Sequence, residues 1–158
     1  PGSQPTADDL IKKYNLQPHP EGGYFVETFR AASTVSATQG TRSALTSIFF
    51  LVMPGSISRM HRLAHSDEVW SFYLGGPMTV VEISKDGVLK KTTLGADVNN
   101  GELVQHVVPA GSWFGSYPNE GSAYSFVGCM VGPGFDFADF ELGSRSALLA
   151  QYPQHEDE

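Results

Sequence analysis

The sequence predicts an all-β domain, a sandwich or barrel of short strands with one short helix at its N-terminal end. At least eight short segments rich in β-branched and aromatic residues follow one another, separated by turns such as Lys85-Asp86-Gly87. The 158 residues include 17 Gly and 10 Pro, with 41% hydrophobic and 17% charged residues, which is typical of a packed domain with many turns. This length suits one domain.

We place that single domain at residues 4–153. Residues 1–3, Pro-Gly-Ser, are interpreted as the remnant of a purification tag, and residues 154–158, Gln-His-Glu-Asp-Glu, as a solvated acidic tail.

The predicted helix begins after Thr6. Thr6 and Asp9 have the spacing of a capping box, and Leu10, Ile11 and Tyr14 then fall on one helical face. We expect the helix to end before the two prolines that follow, and no other helix is predicted.

A first strand is predicted after the Gly22-Gly23 pair, from Tyr24 to Phe29. Residues 31–42 lack an apolar period and are predicted to form a loop, either a passive connector or a lid. The segment from Phe135 to Phe140 alternates aromatic and acidic residues and is predicted to be a strand with one aromatic face. The remaining predicted strands are Ala44–Met53, Glu68–Leu74, Met78–Ser84, Val88–Leu94, Val104–Val108, Ser112–Ser116 and Ala123–Val131.

The strand around Ile48–Met53 is apolar at successive positions, so both of its faces should be buried. We expect the outer face to be covered by a second copy of the chain, which predicts a homodimer.

Charge and cysteine content exclude several classes of partner. The formal net charge is −7, which repels nucleic-acid phosphates and anionic lipid. The sequence has no stretch of about 20 apolar residues and no secretory signal. The single Cys129 lies mid-strand and is expected to be an inert buried thiol. We therefore expect a soluble cytoplasmic protein that binds a small molecule and neither nucleic acid nor membrane.

One segment carries a recognisable motif. Gly55, His61, Glu68 and Gly75 have the spacing of the first motif of the cupin superfamily, and the segment resembles it without a gap. In that motif a second histidine stands two residues after the first, where this chain has Leu63. The second cupin motif resembles Pro109-Ala-Gly111, but its histidine is replaced here by Phe114.

The chain is similar in particular to the largely uncharacterised cupin family five, from about Leu10 to Pro153. This resemblance implies a double-stranded β-helix, the cupin jelly roll, with a pocket inside the barrel and commonly a dimer, but it implies no agreed reaction. Ser71 stands where that family often has histidine. The resemblance rests on residues 18–30, 61–63 with 66–70, and 133–142.

Metal binding is not expected, because only His61 and Glu68 remain of the three histidines and one glutamate of the cupin site. The alternative is a divalent ion held by His61, Glu68 and His65. No other cofactor is expected.

His61 and Glu68 are the predicted catalytic pair. The period of two along Glu68–Leu74 places Glu68, Trp70 and Phe72 on one face with Leu74. If that face lines the barrel, burial raises the pKa of Glu68 and suits it to acid–base catalysis beside His61. The alternative is that the two only hydrogen-bond each other, as the remainder of a lost metal site.

Further side chains are candidates for contacts with a substrate. Aromatic residues would form the pocket walls, polar residues of the first strands would orient the ligand, and Arg59 with Arg62 would hold an anionic group. The predicted substrate-binding residues are Tyr24, Glu27, Arg30, Ser43, Thr46, Arg59, Trp70, Phe72, Trp113, Phe114 and Tyr124.

Three functions remain open at this point. The first is a metal-independent isomerase, epimerase or lyase acting on a small polar metabolite such as a sugar or hydroxy-acid derivative, with His61 as base and Glu68 or a tyrosine as acid. The second is a cupin that binds a metabolite without converting it. The third is a metal-dependent enzyme that recruits His65.

Overall fold

Two antiparallel sheets packed face to face form the body of the protein, in the jelly-roll arrangement. The structure, a computed structural model, describes residues 3–155. The first sheet contains β1 (Gln17–Pro18), β2 (Tyr24–Arg30), β5 (Thr46–Val52), β7 (Asp67–Gly75), β10 (Gln105–Val108) and β12 (Ser125–Gly132), in the order β1-β2-β5-β12-β7-β10. The second contains β6 (Ser58–Leu63), β8 (Met78–Ile83), β9 (Leu89–Leu94), β11 (Trp113–Pro118) and β13 (Phe140–Leu142), in the order β13-β6-β11-β8-β9.

The main core lies between the sheets and takes side chains from both. Because side chains alternate along a strand, only one face of each strand enters it. Its buried members are Phe50, Val52, Trp70, Met78, Val80, Leu94, Val108, Phe114, Val127 and Cys129. The prediction that Cys129 is a buried thiol is confirmed.

The predicted N-terminal helix is present as α1 (Ala7–Tyr14). Its capping box is complete, since the Thr6 hydroxyl accepts from the backbone N–H of Asp9 and the Asp9 carboxylate accepts from that of Thr6. The helix covers the outer face of the first sheet, where Leu10 packs with Leu51 of β5. The second apolar face of β5 is therefore covered within the chain, and the expectation that a dimer covers it is wrong; the homodimer stays a prediction.

A second helix, α2 (Arg145–Gln151), was not predicted from the sequence. Its Leu148 packs with Trp113 and Tyr152 over the outer face of the second sheet. The sequence signal is weak because this helix has only seven residues and one apolar contact face.

Two predicted local structures are corrected. Residues 31–42 are not one loop, because a hairpin forms from β3 (Thr34–Ala37) and β4 (Gly40–Ser43). The segment 135–140 is not one strand, because residues 137–139 form a 3₁₀ turn, capped by the Asp136 carboxylate, before β13 begins.

A β-bulge in β7 corrects the predicted face of that strand. Phe72 pairs with Val127 of β12, whereas Leu74 pairs with the preceding Phe126, so Tyr73 is an extra residue. Glu68 and Trp70 face the interior as expected, but Leu74 packs on the outer face.

The other predicted strands are present with shifted ends, and β6, which carries the first cupin motif, was not predicted as a strand. Of the predicted acidic tail, Gln154 and His155 are described and both contact the Gly87 carbonyl oxygen. Residues 1–2 and 156–158 lie outside the described range. Within that range, neither α-helix has the length or the apolar character to cross a bilayer.

Candidate active site

A half-open cavity of about 310 Å³ lies between the sheets, which is the size of a small-metabolite pocket. Both predicted catalytic residues, His61 of β6 and Glu68 of β7, line it. Four further predicted residues line it as well: Glu27, Arg30, Thr46 and Trp70. The jelly roll thus brings together residues that are up to 43 positions apart in the sequence.

His61 is held by a carboxylate that the sequence analysis did not select. Its Nδ1 lies 2.8 Å from the Arg59 carbonyl oxygen and 2.9 Å from Oε2 of Glu21. Both side chains are buried. The Nδ1–H points to the carbonyl oxygen, because Oε2 of Glu21 has no hydrogen bond of regular geometry. Glu21 therefore stabilises the His61 imidazolium both through this close contact and through its charge.

Opposing effects set the pKa of His61. Burial favours the neutral ring, but the Glu21 carboxylate, the Glu68 carboxylate and the Arg59 carbonyl oxygen stabilise the imidazolium. The carboxylates prevail, and the pKa of His61 is raised. This shift favours the imidazolium over the neutral ring more than in a free histidine, and within residues 3–155 Nε2 of His61 makes no hydrogen bond.

Glu68 favours its neutral, protonated form more strongly than an ordinary carboxyl group does. Burial raises its pKa to about 7, and the Glu21 charge adds to this, whereas His61 and the Trp70 indole lower it. Near pH 7 this carboxyl group is therefore ionised in about half of the molecules. The prediction that burial raises the pKa of Glu68 is confirmed.

A tight turn between β1 and β2 brings His19 and Glu21 into the cavity. The backbone N–H of His19 donates to the Gly23 carbonyl oxygen at 2.8 Å, and the backbone N–H of Gly22 donates to the His19 carbonyl oxygen at 3.1 Å. Gly22 has φ +115°, and a Cβ there would overlap the Ile57 carbonyl oxygen. Only glycine permits this close approach of the turn to β6.

A β-bulge in β2 shapes the cavity entrance. Glu27 pairs with Ile48, but the next paired residue is Phe29, opposite Ser47, so the alternation of faces shifts between them. As a result Arg30 and Glu27 both line the cavity, and the guanidinium donates to the carboxylate at 2.6 Å. Arg30 also donates to the Phe135 carbonyl oxygen at 3.1 Å.

The segment after β12 forms an aromatic wall of this cavity, which we define as Phe135, Phe137 and Phe140. The Phe135 and Phe137 rings meet edge to face with centroids 4.9 Å apart. Thr46 anchors the wall, because its hydroxyl oxygen accepts from the Phe135 N–H at 2.9 Å. Thr46 thus lines the cavity, but part of its hydrogen-bonding capacity is used within the chain.

Seven predicted substrate-binding residues do not line this cavity. Tyr24 and Tyr124 lie on the outer face of the first sheet under α1, and the Tyr124 hydroxyl donates to the Pro5 carbonyl oxygen. Ser43 donates to the Ala31 carbonyl oxygen at 2.7 Å. Phe72 packs against the main core instead.

The other three lie near β6. Trp113 lies on the outer face of β11, where the Arg62 guanidinium stacks on its ring. Arg59 lines a different cavity, of about 280 Å³, beside α2. Phe114 points inward but lies behind His61, with ring centroids 4.1 Å apart.

Several lining residues were not selected from the sequence, above all His19, Glu21 and the aromatic wall. A usable signal for the first two is the stretch Pro18-His-Pro-Glu-Gly-Gly23. Two prolines and two glycines around a histidine and a glutamate indicate a rigid turn that presents titratable groups.

The donor set does not fit the metal that the cupin fold commonly implies. Leu63 and Phe114 occupy two of the four positions, and both are buried apolar residues. Within residues 3–155, no group of three or more His, Cys, Asp or Glu side chains is placed to hold a metal ion. His65 is exposed and does not line the cavity. We derive no chemical step through a metal.

Comparisons with known proteins agree with this architecture. An uncharacterised protein of Saccharomyces cerevisiae is 34% identical over 145 residues, which cover 82% of this chain and 71% of the yeast protein. A hypothetical protein from Leishmania major has a solved structure with 42% identity and a TM-score of 0.91, covering 96% of this chain and 95% of that chain. A protein from Shewanella oneidensis has 44% identity and a TM-score of 0.89, covering 98% of this chain and 94% of that chain.

More distant structures share only the fold. A dTDP sugar isomerase from Desulfovibrio desulfuricans has 15% identity and a TM-score of 0.55, covering 76% of this chain and 83% of that chain. A Bacillus subtilis oxalate decarboxylase variant has 16% identity and a TM-score of 0.56, covering 93% of this chain and 37% of that chain. The family described as Cupin superfamily (DUF985) matches residues 8–143. With its jelly-roll sheets and this match over most of its length, the chain belongs to the cupin superfamily and, within it, to cupin family five.

Proposed function

We propose that the protein is a metal-independent acid–base enzyme, an isomerase, epimerase or lyase, that moves a proton on a small metabolite such as a sugar or hydroxy-acid derivative. One observation carries this proposal. His61 and Glu68 are buried in one cavity, and each alters the protonation of the other. Two titratable groups buried in one pocket, one of them with a pKa of about 7, are suited to proton transfer to and from a substrate.

The electrostatics favour roles opposite to those expected from the sequence. The carboxylates around His61 favour its imidazolium, which is an acid, whereas Glu68 is present as carboxylate in about half of the molecules near pH 7. We therefore assign Glu68 as the base and His61 as the acid. Glu21 is assigned as a positioning residue, because it holds His61 in place and favours its protonated form without having to contact the substrate.

The fold by itself does not identify the reaction. The dTDP sugar isomerase and the oxalate decarboxylase both have this fold at low identity, so their names indicate only which chemistry a cupin barrel can hold. The argument for proton transfer rests on the cavity residues.

Isotope exchange tests the proposal without a known product. The protein is incubated in D₂O with a panel of small hydroxy ketones, aldehydes, sugars and hydroxy acids, and NMR follows the loss of C–H signals. We expect exchange with at least one compound, and a loss of about 100-fold or more in Glu68→Gln. The matched control is His106→Gln, because His106 and Glu82 form a buried pair, 2.5 Å apart, outside this cavity.

Each outcome has a defined meaning. Exchange that persists in Glu68→Gln would contradict the assignment of the base. Compounds that stabilise the protein in a thermal-shift assay but never exchange would instead identify a cupin that binds a metabolite without converting it.

A further inference from the structure

The protonation of His19 is determined by its surroundings. The backbone N–H of Glu21 donates to Nδ1 of His19 at 3.1 Å, so Nδ1 is an acceptor and the ring proton is on Nε2. The ring meets Phe25 and Phe50 edge to face, with centroids 4.6 Å and 5.6 Å away. Burial lowers the pKa of His19, and the Glu21 carboxylate only partly opposes this. His19 is therefore a neutral imidazole in the cavity wall.

The Nε2–H of His19 is available to a ligand. His19 lines the cavity with a side chain 9% exposed, and within residues 3–155 its Nε2 makes no hydrogen bond. The indole N–H of Trp70, in the same wall, is buried and faces the Glu68 carboxylate, whose pKa it lowers, so it is not counted as a free donor. In a cavity with mainly apolar walls a donor is best satisfied by an acceptor on the ligand, so the Nε2–H of His19 favours a ligand with an oxygen acceptor.

The charges in the cavity disfavour an anionic ligand. Its two cationic groups already face carboxylates, Arg30 pairing with Glu27 and His61 lying beside Glu21. Among residues 3–155 no further Lys or Arg lines the cavity, so no unpaired guanidinium of this range is left to hold a carboxylate or phosphate. The acidic lining residues are Glu21, Glu27, Glu68 and Asp136.

The remaining walls are apolar, and the volume is small. About 310 Å³ has room for roughly ten water-sized groups, so the ligand must be compact and partly apolar. The apolar lining residues are Phe25, Ile48, Phe50, Leu63, Trp70, Cys129, Val131, Phe135, Phe137 and Phe140.

We infer that the substrate is an uncharged aldehyde or ketone with an apolar substituent, and that His19 is the neutral donor to its carbonyl oxygen. This inference rests on the proposed function and narrows its substrate class. The Glu68 carboxylate takes the proton from the carbon beside the carbonyl group. The C–H electron pair becomes the C=C bond of the enolate, and the C=O π pair moves to the oxygen. The Nε2–H of His19 holds this enolate without giving up its proton, and the His61 imidazolium returns a proton to carbon, which restores the C=O bond. Glu68 then releases its proton to solvent and His61 takes one up from solvent, which restores the starting state.

Two substitutions of His19 separate a catalytic from a structural role. In His19→Asn the side-chain oxygen replaces Nδ1 and preserves the acceptor for the Glu21 N–H, but the donor into the cavity is lost. In His19→Gln the side-chain amide stands near the place of Nε2 and restores a donor, but the acceptor in the turn is lost. A donor role therefore predicts more activity in the glutamine variant, and a structural role predicts more in the asparagine variant.

The probe is 1-phenylpropan-2-one, an uncharged ketone, compared with phenylpyruvate, a 2-oxo acid of similar size. Exchange of the benzylic protons in D₂O is followed by NMR. We expect exchange of the ketone by the wild type, a loss of about 100-fold in His19→Asn, a smaller loss in His19→Gln, and little exchange of the acid. His106→Gln again serves as the control for a buried histidine outside the cavity.

Failure of this inference is distinguishable from failure of the proposed function. Exchange that survives in His19→Asn, or that favours phenylpyruvate, would overturn the inference while leaving acid–base catalysis intact. If the wild type exchanges no compound of the panel, both fail. Independently of turnover, ¹⁵N NMR of the imidazole should show Nε2–H with bare Nδ1 at pH 7.5 to 8, and a proton on Nδ1 there would overturn the assignment.

Discussion

The ring of Phe114 lies against the imidazole of His61, with centroids 4.1 Å apart and planes inclined by 53°. In the cupin motif the position of Phe114 belongs to a histidine. At this position the chain therefore has an aromatic ring that packs against His61 and cannot coordinate a metal.

Restoring the missing histidines should restore metal binding. We expect the double variant Leu63→His, Phe114→His to retain about one equivalent of a divalent transition metal, because it presents three histidines and Glu68. Elemental analysis of protein grown in metal-supplemented medium measures this, and wild type is expected to retain far less. A stoichiometric metal in wild type that is lost in His61→Ala would contradict this expectation.

Removing the carboxylate beside His61 should lower the pKa of that histidine. In Glu21→Gln the shape is preserved, but the carboxylate that opposes the effect of burial is removed, so we expect the pKa of His61 to decrease. NMR titration of the His61 ring signals measures it. Glu82→Gln removes a carboxylate from the separate pair with His106 and should leave the His61 titration unchanged. An unchanged pKa in Glu21→Gln would show that the Glu21 charge does not control His61.

The pH dependence of stability should report Glu68. Its pKa is 4.5 in the ordinary case and about 7 in the folded protein, so the folded state holds an extra proton between these values. The free energy of unfolding therefore falls as pH rises from about 4.5 to 7. Each pH unit corresponds to about 1.4 kcal/mol, which sets an upper limit of about 3 kcal/mol for this group.

Glu68→Gln should make the free energy of unfolding less dependent on pH between about 4.5 and 7, because the amide does not titrate. Urea unfolding at several pH values measures the effect. His61 contributes in the same direction, since its raised pKa stabilises the folded state at low pH and this contribution is lost as pH rises through it. A slope that stays as steep in Glu68→Gln as in wild type would assign the pH dependence to other groups.

The ion pair behind the aromatic wall should contribute more to stability than an exposed ion pair does. Arg42 donates to both carboxylate oxygens of Asp139 at 2.8 Å, and both side chains are largely shielded. The Arg62–Glu141 pair is more exposed. We expect Asp139→Asn to lower the melting temperature more than Glu141→Gln, and to speed hydrogen exchange in residues 135–140. Equal effects of the two substitutions would contradict this.

Local sequence patterns identified the features that depend on neighbouring residues. The capping box of α1 follows from Thr6 and Asp9, and the motif spacing selected His61 and Glu68, because both patterns are fixed by contacts within a few residues or by family resemblance. The fold class followed from the number of short strands. Burial of Glu68 followed from the alternation along β7.

Only the tertiary structure decided which groups surround His61. Glu21 is 40 residues away in sequence, and the turn at Gly22 brings its carboxylate to 2.9 Å. The bulges in β2 and β7 placed Arg30 in the cavity and Leu74 outside it, because one extra residue reverses the alternation of faces. Such shifts depend on pairing between distant strands. The sequence by itself therefore determined the jelly-roll fold and selected His61 and Glu68, whereas long-range packing decided which charges and which walls surround them.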